Sequence, residues 1–246
     1  MKRALITGGQ QGIGFAIAQA LNGAGFQVVM TAEMAEEAEV VQAAVKALPG
    51  SCYFWHDLQR IDGVGALLDA VGPVNCFVSN AGVPARVRGD MLELSAESFD
   101  FVMGINLRGA FFLAQEVARR MLVAASGDYC SMLFVTSVSA SMVSVERAEY
   151  CLSKSAAAMM AQLFAVRLAP HGIGVFDLRP GIIETGMTAG VTEKYSSLIA
   201  EGLVPAARWG VPADVGSVAV PLALGQMAFA TGAVIPVDGG LSIGRL

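Results

Sequence analysis

Short apolar runs that alternate with helical patterns from one end to the other leave this chain few architectures to choose from. The runs are Ala4–Thr7, Gln27–Thr31, Ser51–Trp55, Cys76–Ser79, Ser131–Thr136, Gly174–Leu178 and Ala233–Val237. Between them, residue spacing predicts helices over Gly14–Asn22, Met34–Ala47, Ile61–Val71, Ser95–Ala124, Tyr150–Ala169 and Pro212–Leu224. The runs lack clear alternation of polar and apolar residues, which is expected of strands buried on both faces of a parallel sheet. Strand–helix alternation implies right-handed crossovers, and so an α/β fold with a doubly wound parallel sheet of about seven strands, helices on both faces. With 246 residues, 54% hydrophobic and 15% charged, the chain has ample apolar material for one large core. No linker or repeat divides it, so residues 1–246 are read as a single domain.

The same composition narrows the partners. A formal net charge of −5 and the lack of any Lys/Arg run argue against nucleic acid or an anionic membrane surface. Val215–Val237 carries no charge and is long enough to span a bilayer. However, Pro221, Pro236, Gly216, Gly225 and Gly232 interrupt it, and the Thr231-Gly232 turn splits it into a helix and a strand, so it reads as buried core. The stretch Met1–Gly8 is too short an apolar run for a signal peptide. Cys52, Cys76, Cys130 and Cys151 form neither a CxxC nor a Cys/His cluster. They read as buried thiols in a reducing, cytoplasmic compartment, with no metal site.

Chemistry enters directly after the first run. Thr7-Gly8-Gly9-Gln10-Gln11-Gly12-Ile13-Gly14 leads into a helix. Glycines there let the backbone turn and approach a pyrophosphate, while the helix N-terminus supplies N–H groups. The spacing is G-x-x-x-G-x-G rather than the commoner G-x-G-x-x-G. Glu33 follows the second run, where a carboxylate accepts from a ribose 2′-hydroxyl and repels a 2′-phosphate. No Arg or Lys stands in the glycine loop or directly after that run. Both features favour NAD over NADP, unless Ala32 occupies the discriminating position and Glu33 is solvated. Asp57, followed by Leu58, ends the third strand region; it either meets an adenine amino group or caps the helix near Ile61.

Further along, Tyr150 and Lys154 are four residues apart, with Ser137 thirteen residues before the tyrosine. Residues at i and i+4 share one helical face. A phenol ionises near pH 10 in isolation, and a neighbouring ammonium favours its phenolate, bringing it toward use as a general acid–base. By itself such a pair is more often a surface contact.

Together these segments resemble the short-chain dehydrogenase/reductases, from Thr7 to Gly240. Thr7–Gly14 is similar to that family's cofactor loop, Asn80-Ala81-Gly82 to its motif after strand four, and Ile105-Asn106-Leu107 to the motif bearing a catalytic asparagine. Thr136-Ser137, the Tyr150/Lys154 pair, Arg179–Thr185 and Asp238-Gly239-Gly240 match in the same order. The resemblance implies a Rossmann-type domain that moves a hydride between a nicotinamide cofactor and a secondary alcohol or ketone. It implies four catalytic residues. Tyr150 would exchange a proton with the substrate oxygen, and Ser137 would hold that oxygen. Lys154 would tune the tyrosine and bond the nicotinamide ribose, and Asn106 would anchor a water leading from Lys154 to solvent. The implied cofactor-binding set is Gly8, Gln10, Gln11, Gly12, Ile13, Gly14, Glu33, Asp57, Leu58, Asn80, Ala81, Gly82, Tyr150, Lys154, Pro180, Gly181, Ile183 and Thr185. Enoyl reductases of the superfamily place the lysine six or seven residues after the tyrosine, so a spacing of four points to carbonyl chemistry.

The substrate is less legible. Residues 184–208 fall where the family has its lid, with Gly186, Gly190 and Gly202 as hinges and Met187, Tyr195, Leu198, Ile199 and Leu203 as apolar lining. Arg86, Arg88 and Arg147 border the expected pocket. They either receive an anionic group or are solvated, with Glu146 and Glu149 neutralising Arg147. The pattern resembles the 3-oxoacyl-carrier-protein reductases and their sugar-alcohol dehydrogenase relatives. A small-molecule carbonyl or alcohol is the expected partner, in a homotetramer or homodimer. A nucleotide-sensing protein without turnover is the non-enzymatic alternative, disfavoured by the intact set of catalytic residues.

Overall fold

The computed structural model describes residues 2–124 and 127–245. Seven parallel strands form one sheet: β1 (Arg3–Thr7), β2 (Gln27–Ala32), β3 (Cys52–Trp55), β4 (Cys76–Ser79), β5 (Ser131–Val135), β6 (Gly174–Pro180) and β7 (Val234–Val237). Their spatial order is β3-β2-β1-β4-β5-β6-β7, so the order reverses between β1 and β4. Each predicted strand is present within about two residues.

Side chains alternate across each strand and both faces are covered. Ala4, Ile6, Val28, Met30 and Phe176 pack under α1 (Gly12–Gly23), α2 (Glu39–Ala47) and α8 (Pro212–Ala223). Leu5, Val29, Phe77, Met132 and Phe134 pack on the other face, under α3 (Val64–Val71), α5 (Ala110–Val123) and α6 (Ala148–Leu168). Phe77, Phe134 and Phe176 are wholly buried, each stabilising the fold by about 1.5–3 kcal/mol. Residues 215–237 divide into most of α8, a short 3₁₀ turn and β7; Gly225 and Gly232 fall between these elements as expected, whereas Gly216 and Pro221 lie inside α8 and Pro236 inside β7. Among the described residues no helix is long and apolar enough to cross a membrane.

Three helix expectations need correction. The predicted helix from Met34 begins only at Glu39, because Tyr53 donates its hydroxyl to the carbonyls of Ala32 (2.9 Å) and Met34 (2.7 Å), and Ala38 is extended with ψ 134°. Ile61–Gly63 is a 3₁₀ turn that precedes α3. The single helix expected over Ser95–Ala124 is α4 (Ala96–Met103), a wide π-helical turn over Gly104–Gly109, and then α5. Cys76 and Cys130 are buried as expected, and burial pushes the Cys76 thiol up to about 12. Cys52 and Cys151 are only half-buried.

Candidate active site

Where the strand order reverses, the C-terminal ends of β1, β4, β5 and β6 open into a cleft of about 870 Å³. Its nucleotide end is built on the glycine loop. Gly8 (φ 64°) and Gly12 (φ 56°) adopt left-handed backbone that glycine reaches without strain. Gly14 has no room for a side chain, since a Cβ there would stand 2.1 Å from the Gly8 carbonyl oxygen. The loop is pinned from β4: Asn80 donates its side-chain amide to the carbonyls of Thr7 (3.0 Å) and Gly8 (3.2 Å). In return, Thr7 Oγ1 accepts from the backbone N–H groups of Asn80 and Ala81, both at 2.9 Å. Gln11 precedes α1 without capping it, so the first N–H groups of that helix are open to an anion.

Three buried polar atoms at this end have no protein partner: Gln10 Oε1, Thr31 Oγ1 and His56 Nε2. Burial also holds the His56 imidazole below its usual pKa. Orphaned polar atoms around a glycine cradle beside an uncapped helix are what a dinucleotide would complete, so the residues present fit a nicotinamide cofactor. Glu33 is exposed and lines the cleft, with buried Ala32 beside it. Asp57 and Leu58 also line it. Asp57 caps no helix; its Oδ1 accepts from the Gln59 N–H at 2.9 Å in a local turn.

At the other end, α6 brings Tyr150 and Lys154 to the cleft wall with Ser137, which follows β5. Lys154 Nζ lies 5.7 Å from the centre of the Tyr150 ring and donates to the Val135 carbonyl at 3.1 Å. Ser137 Oγ accepts from the Ser139 N–H at 3.0 Å, which leaves its own proton to donate. Asn106 sits in the π-helical turn, buried behind the cleft wall. Its Oδ1 accepts from Val83 N–H (2.8 Å), and its amide donates to the Val83 carbonyl (3.0 Å) and Ser153 Oγ (3.0 Å). Gly82 separates the two ends: a Cβ there would stand 3.1 Å from Asn106 Oδ1 and 3.5 Å from Lys154 Nζ.

Pro180, Gly181, Ile183 and Thr185 complete the wall after β6. Beyond them, Gly186–Val191 is a 3₁₀ segment and α7 spans Thr192–Ala200. Met187, Tyr195, Leu198 and Leu203 line the cleft as expected, whereas Ile199 does not reach it and is buried in a small cluster with Val204 and Leu241. Arg88 and Arg147 line the cleft, but Arg86 does not; its guanidinium stacks 3.9 Å over the Phe101 ring. Neither carboxylate that the sequence offered as a neutralising partner pairs with Arg147. Glu146 pairs with Lys194 at 3.6 Å, and buried Glu149 accepts from Ser98 Oγ at 2.9 Å. Sequence reasoning overlooked Ser139, Ser153 and His56. Only Ser139 left a local signal, a hydroxyl residue two positions after Ser137.

A dinucleotide cradle that opens onto a Ser/Tyr/Lys cluster defines an NAD(P)-dependent oxidoreductase acting on CH–OH or C=O groups. Residues 8–242 match the family model described as enoyl-(acyl carrier protein) reductase, one of the short-chain dehydrogenase/reductase models. The chain belongs to the short-chain dehydrogenase/reductase family. It is 35% identical over 246 residues to the 3-oxoacyl-[acyl-carrier-protein] reductase MabA of Mycobacterium tuberculosis, covering 98% of this chain and 93% of the relative. To the gluconate 5-dehydrogenase of Gluconobacter oxydans it is 30% identical over 248 residues, covering 98% and 94%. A crystal structure of a 3-oxoacyl-[acyl-carrier protein] reductase from Brucella melitensis in complex with NAD superposes with a TM-score of 0.94. That structure is 45% identical, covering 100% of this chain and 98% of the other.

Proposed function

We propose that the four side chains expected from the sequence run a reversible ketone–alcohol interconversion, with NAD(H) as the preferred cofactor. The nicotinamide supplies or takes up the hydride when bound. The observation that carries the reading is the hydrogen-bond state of Ser137. As its oxygen already accepts from Ser139 N–H, its proton is directed at a substrate oxygen and opposes charge that develops there. Tyr150 protonates the same oxygen in reduction and deprotonates it in oxidation. Lys154 spends one N–H on Val135, which leaves two for ribose hydroxyls and a positive charge beside the phenol. Both amide protons of Asn106 are taken, so a relay water there must be held by an acceptor. The segment 184–208 serves as the lid. Self-association as a homotetramer belongs to the same reading, supported by Phe112, Leu152, Met159, Leu163 and Val166, apolar and exposed along α5 and α6. A cytoplasmic setting is supported by four free thiols.

The test is oxidation of NADH and NADPH in the presence of 3-oxoacyl thioesters, keto-sugar acids and cyclic ketones. Turnover of at least one class is expected, and none across all three would sink the reading. The relatives support the first two classes: 3-oxoacyl-carrier-protein reductases and a gluconate dehydrogenase are both nearly full-length matches.

NAD preference rests on Glu33, exposed on the cleft after β2. Replacing a carboxylate by a guanidinium exchanges repulsion of a 2′-phosphate for attraction, a change of about 2 kcal/mol or more at a partly solvated site. Glu33→Arg is therefore expected to move the NADPH-to-NADH ratio of kcat/KM up by about thirtyfold. A ratio that stays put would remove Glu33 from cofactor choice.

A further inference from the structure

The charges on the cleft wall are sorted by position. Its two carboxylates, Glu33 and Asp57, follow β2 and β3 at the nucleotide end. Apart from Lys154 beside Tyr150, the rest of the wall carries Arg88, Arg147 and Lys194 and no carboxylate. These three come from separate segments, drawn together where Gly89 N–H donates to the Glu146 carbonyl at 3.2 Å and Glu146 pairs with Lys194. Lys194 is thereby partly neutralised, whereas Arg147 forms no ion pair among the described residues.

Arg147 is also held in place. It is half-buried, lies 5.3 Å over the Tyr150 ring, and donates from Nη2 to Ser139 Oγ (3.1 Å) and from Nε to Ser144 Oγ (3.4 Å). A guanidinium has five N–H groups, so three remain, two on Nη1 and one on Nη2. That pair of nitrogens is the edge that receives a carboxylate bidentately. A cation fixed beside an acid–base residue with its bidentate edge free is preorganised to receive an anion in the cleft.

We propose that Arg147 is the specificity residue of this site, and that the substrate is a short keto acid or hydroxy acid whose carboxylate it binds while the nearby carbonyl faces Tyr150 and Ser137. The proposal rests on the hydride-transfer reading above and decides between the two substrate classes it left. Arg147 lies against the tyrosine ring, so its anion must sit a few bonds from the reacting carbon. A sugar acid or other short keto acid has a carboxylate there. A carrier-protein thioester has an uncharged tether there, and its charges lie far along the arm and on the carrier.

The experiment pairs keto acids of increasing ketone–carboxylate separation, 5-keto-D-gluconate among them, with uncharged methyl esters, amides and a 3-oxobutanoyl N-acetylcysteamine thioester. Wild type, Arg147→Lys and Arg147→Gln are compared by NADH oxidation. Binding to the enzyme–NADH complex is read separately, by NADH fluorescence. Wild type is expected to favour acids over their esters, with a maximum at one chain length. In Arg147→Gln the acid-to-ester ratio of kcat/KM falls about ten- to a hundredfold, mostly through KM, as for a lost hydrogen-bonded charge pair. Arg147→Lys recovers part of it. Equal use of acids and esters by wild type, or the same ratio in Arg147→Gln, overturns the proposal. Turnover of esters and thioesters with no preference for acids would sink Arg147 alone. Binding of acids that depends on Arg147, with no carbonyl turned over, would sink hydride transfer and leave Arg147 standing.

Discussion

Tyr150→Phe is expected to lower carbonyl reduction about a thousandfold, within the range that positioned proton transfer contributes, while NADH still binds. Phenylalanine keeps the ring, and with it the packing under Arg147 and beside Lys154. What is removed is the one group that the proposed mechanism has transfer its proton to the substrate oxygen, Ser137 only hydrogen-bonding to it. Ser137 and the Lys154 charge remain, so a residual rate above that of free NADH is expected from positioning and charge stabilisation. The two effects separate cleanly in the assay. NADH affinity by fluorescence quenching should stay close to wild type, while kcat falls. A variant that binds NADH and reduces substrate at the wild-type rate would remove Tyr150 from the chemistry.

Gly14→Ala has the largest expected effect on the scaffold. The new methyl would stand 2.1 Å from the Gly8 carbonyl oxygen, 2.5 Å from Asn80 Nδ2 and 2.8 Å from the Gly8 carbonyl carbon. Two of these atoms are backbone in the loop itself. The third is the amide that pins the loop to β4, so no flexible side-chain end is available to yield. Alanine would gain up to about 1 kcal/mol of helix propensity in α1, against an overpacking cost of about 3 kcal/mol. The clash wins. The net loss of about 2 kcal/mol corresponds to a Tm lower by about 4–8 °C, with weaker NADH binding because the loop must move. Gly23→Ala, in the last turn of the same helix, is the control. A Cβ there meets nothing within 4 Å, so the Tm is expected to hold or rise slightly. Equal loss in both variants would show that helix α1, and not the close approach at Gly14, sets the effect.

The sheet was legible in the sequence because its strands are apolar runs bounded by glycine, proline and polar residues, a purely local signal. The glycine loop, the Asn80 motif and the Tyr150/Lys154 pair were legible for the same reason, as each is a short pattern with one physical job. What escaped was set by distant partners. Met34–Ala38 has helical spacing, yet Tyr53, some twenty positions away in the chain, takes the carbonyl that a first turn needs. Glu146 and Glu149 flank Arg147 closely, but Lys194 and Ser98 hold them instead. Gly104–Gly109 reads as ordinary helix, and nothing in its composition announces a change of hydrogen-bond spacing.

That wide turn works as a phase shifter. An α-helix advances about 100° per residue, so a segment with a longer hydrogen-bond loop resets the angular position of everything beyond it. On one side α4 presents Ser98 to Glu149 on α6; on the other, α5 presents Leu113, Ala114, Val117 and Met121 to the sheet face. At the joint, Asn106 points at Val83 and Ser153. Helix phase and active-site geometry are thus one variable here. An insertion or deletion of a single residue between 104 and 109 would reach Lys154's surroundings as a rotation, whatever it did to length.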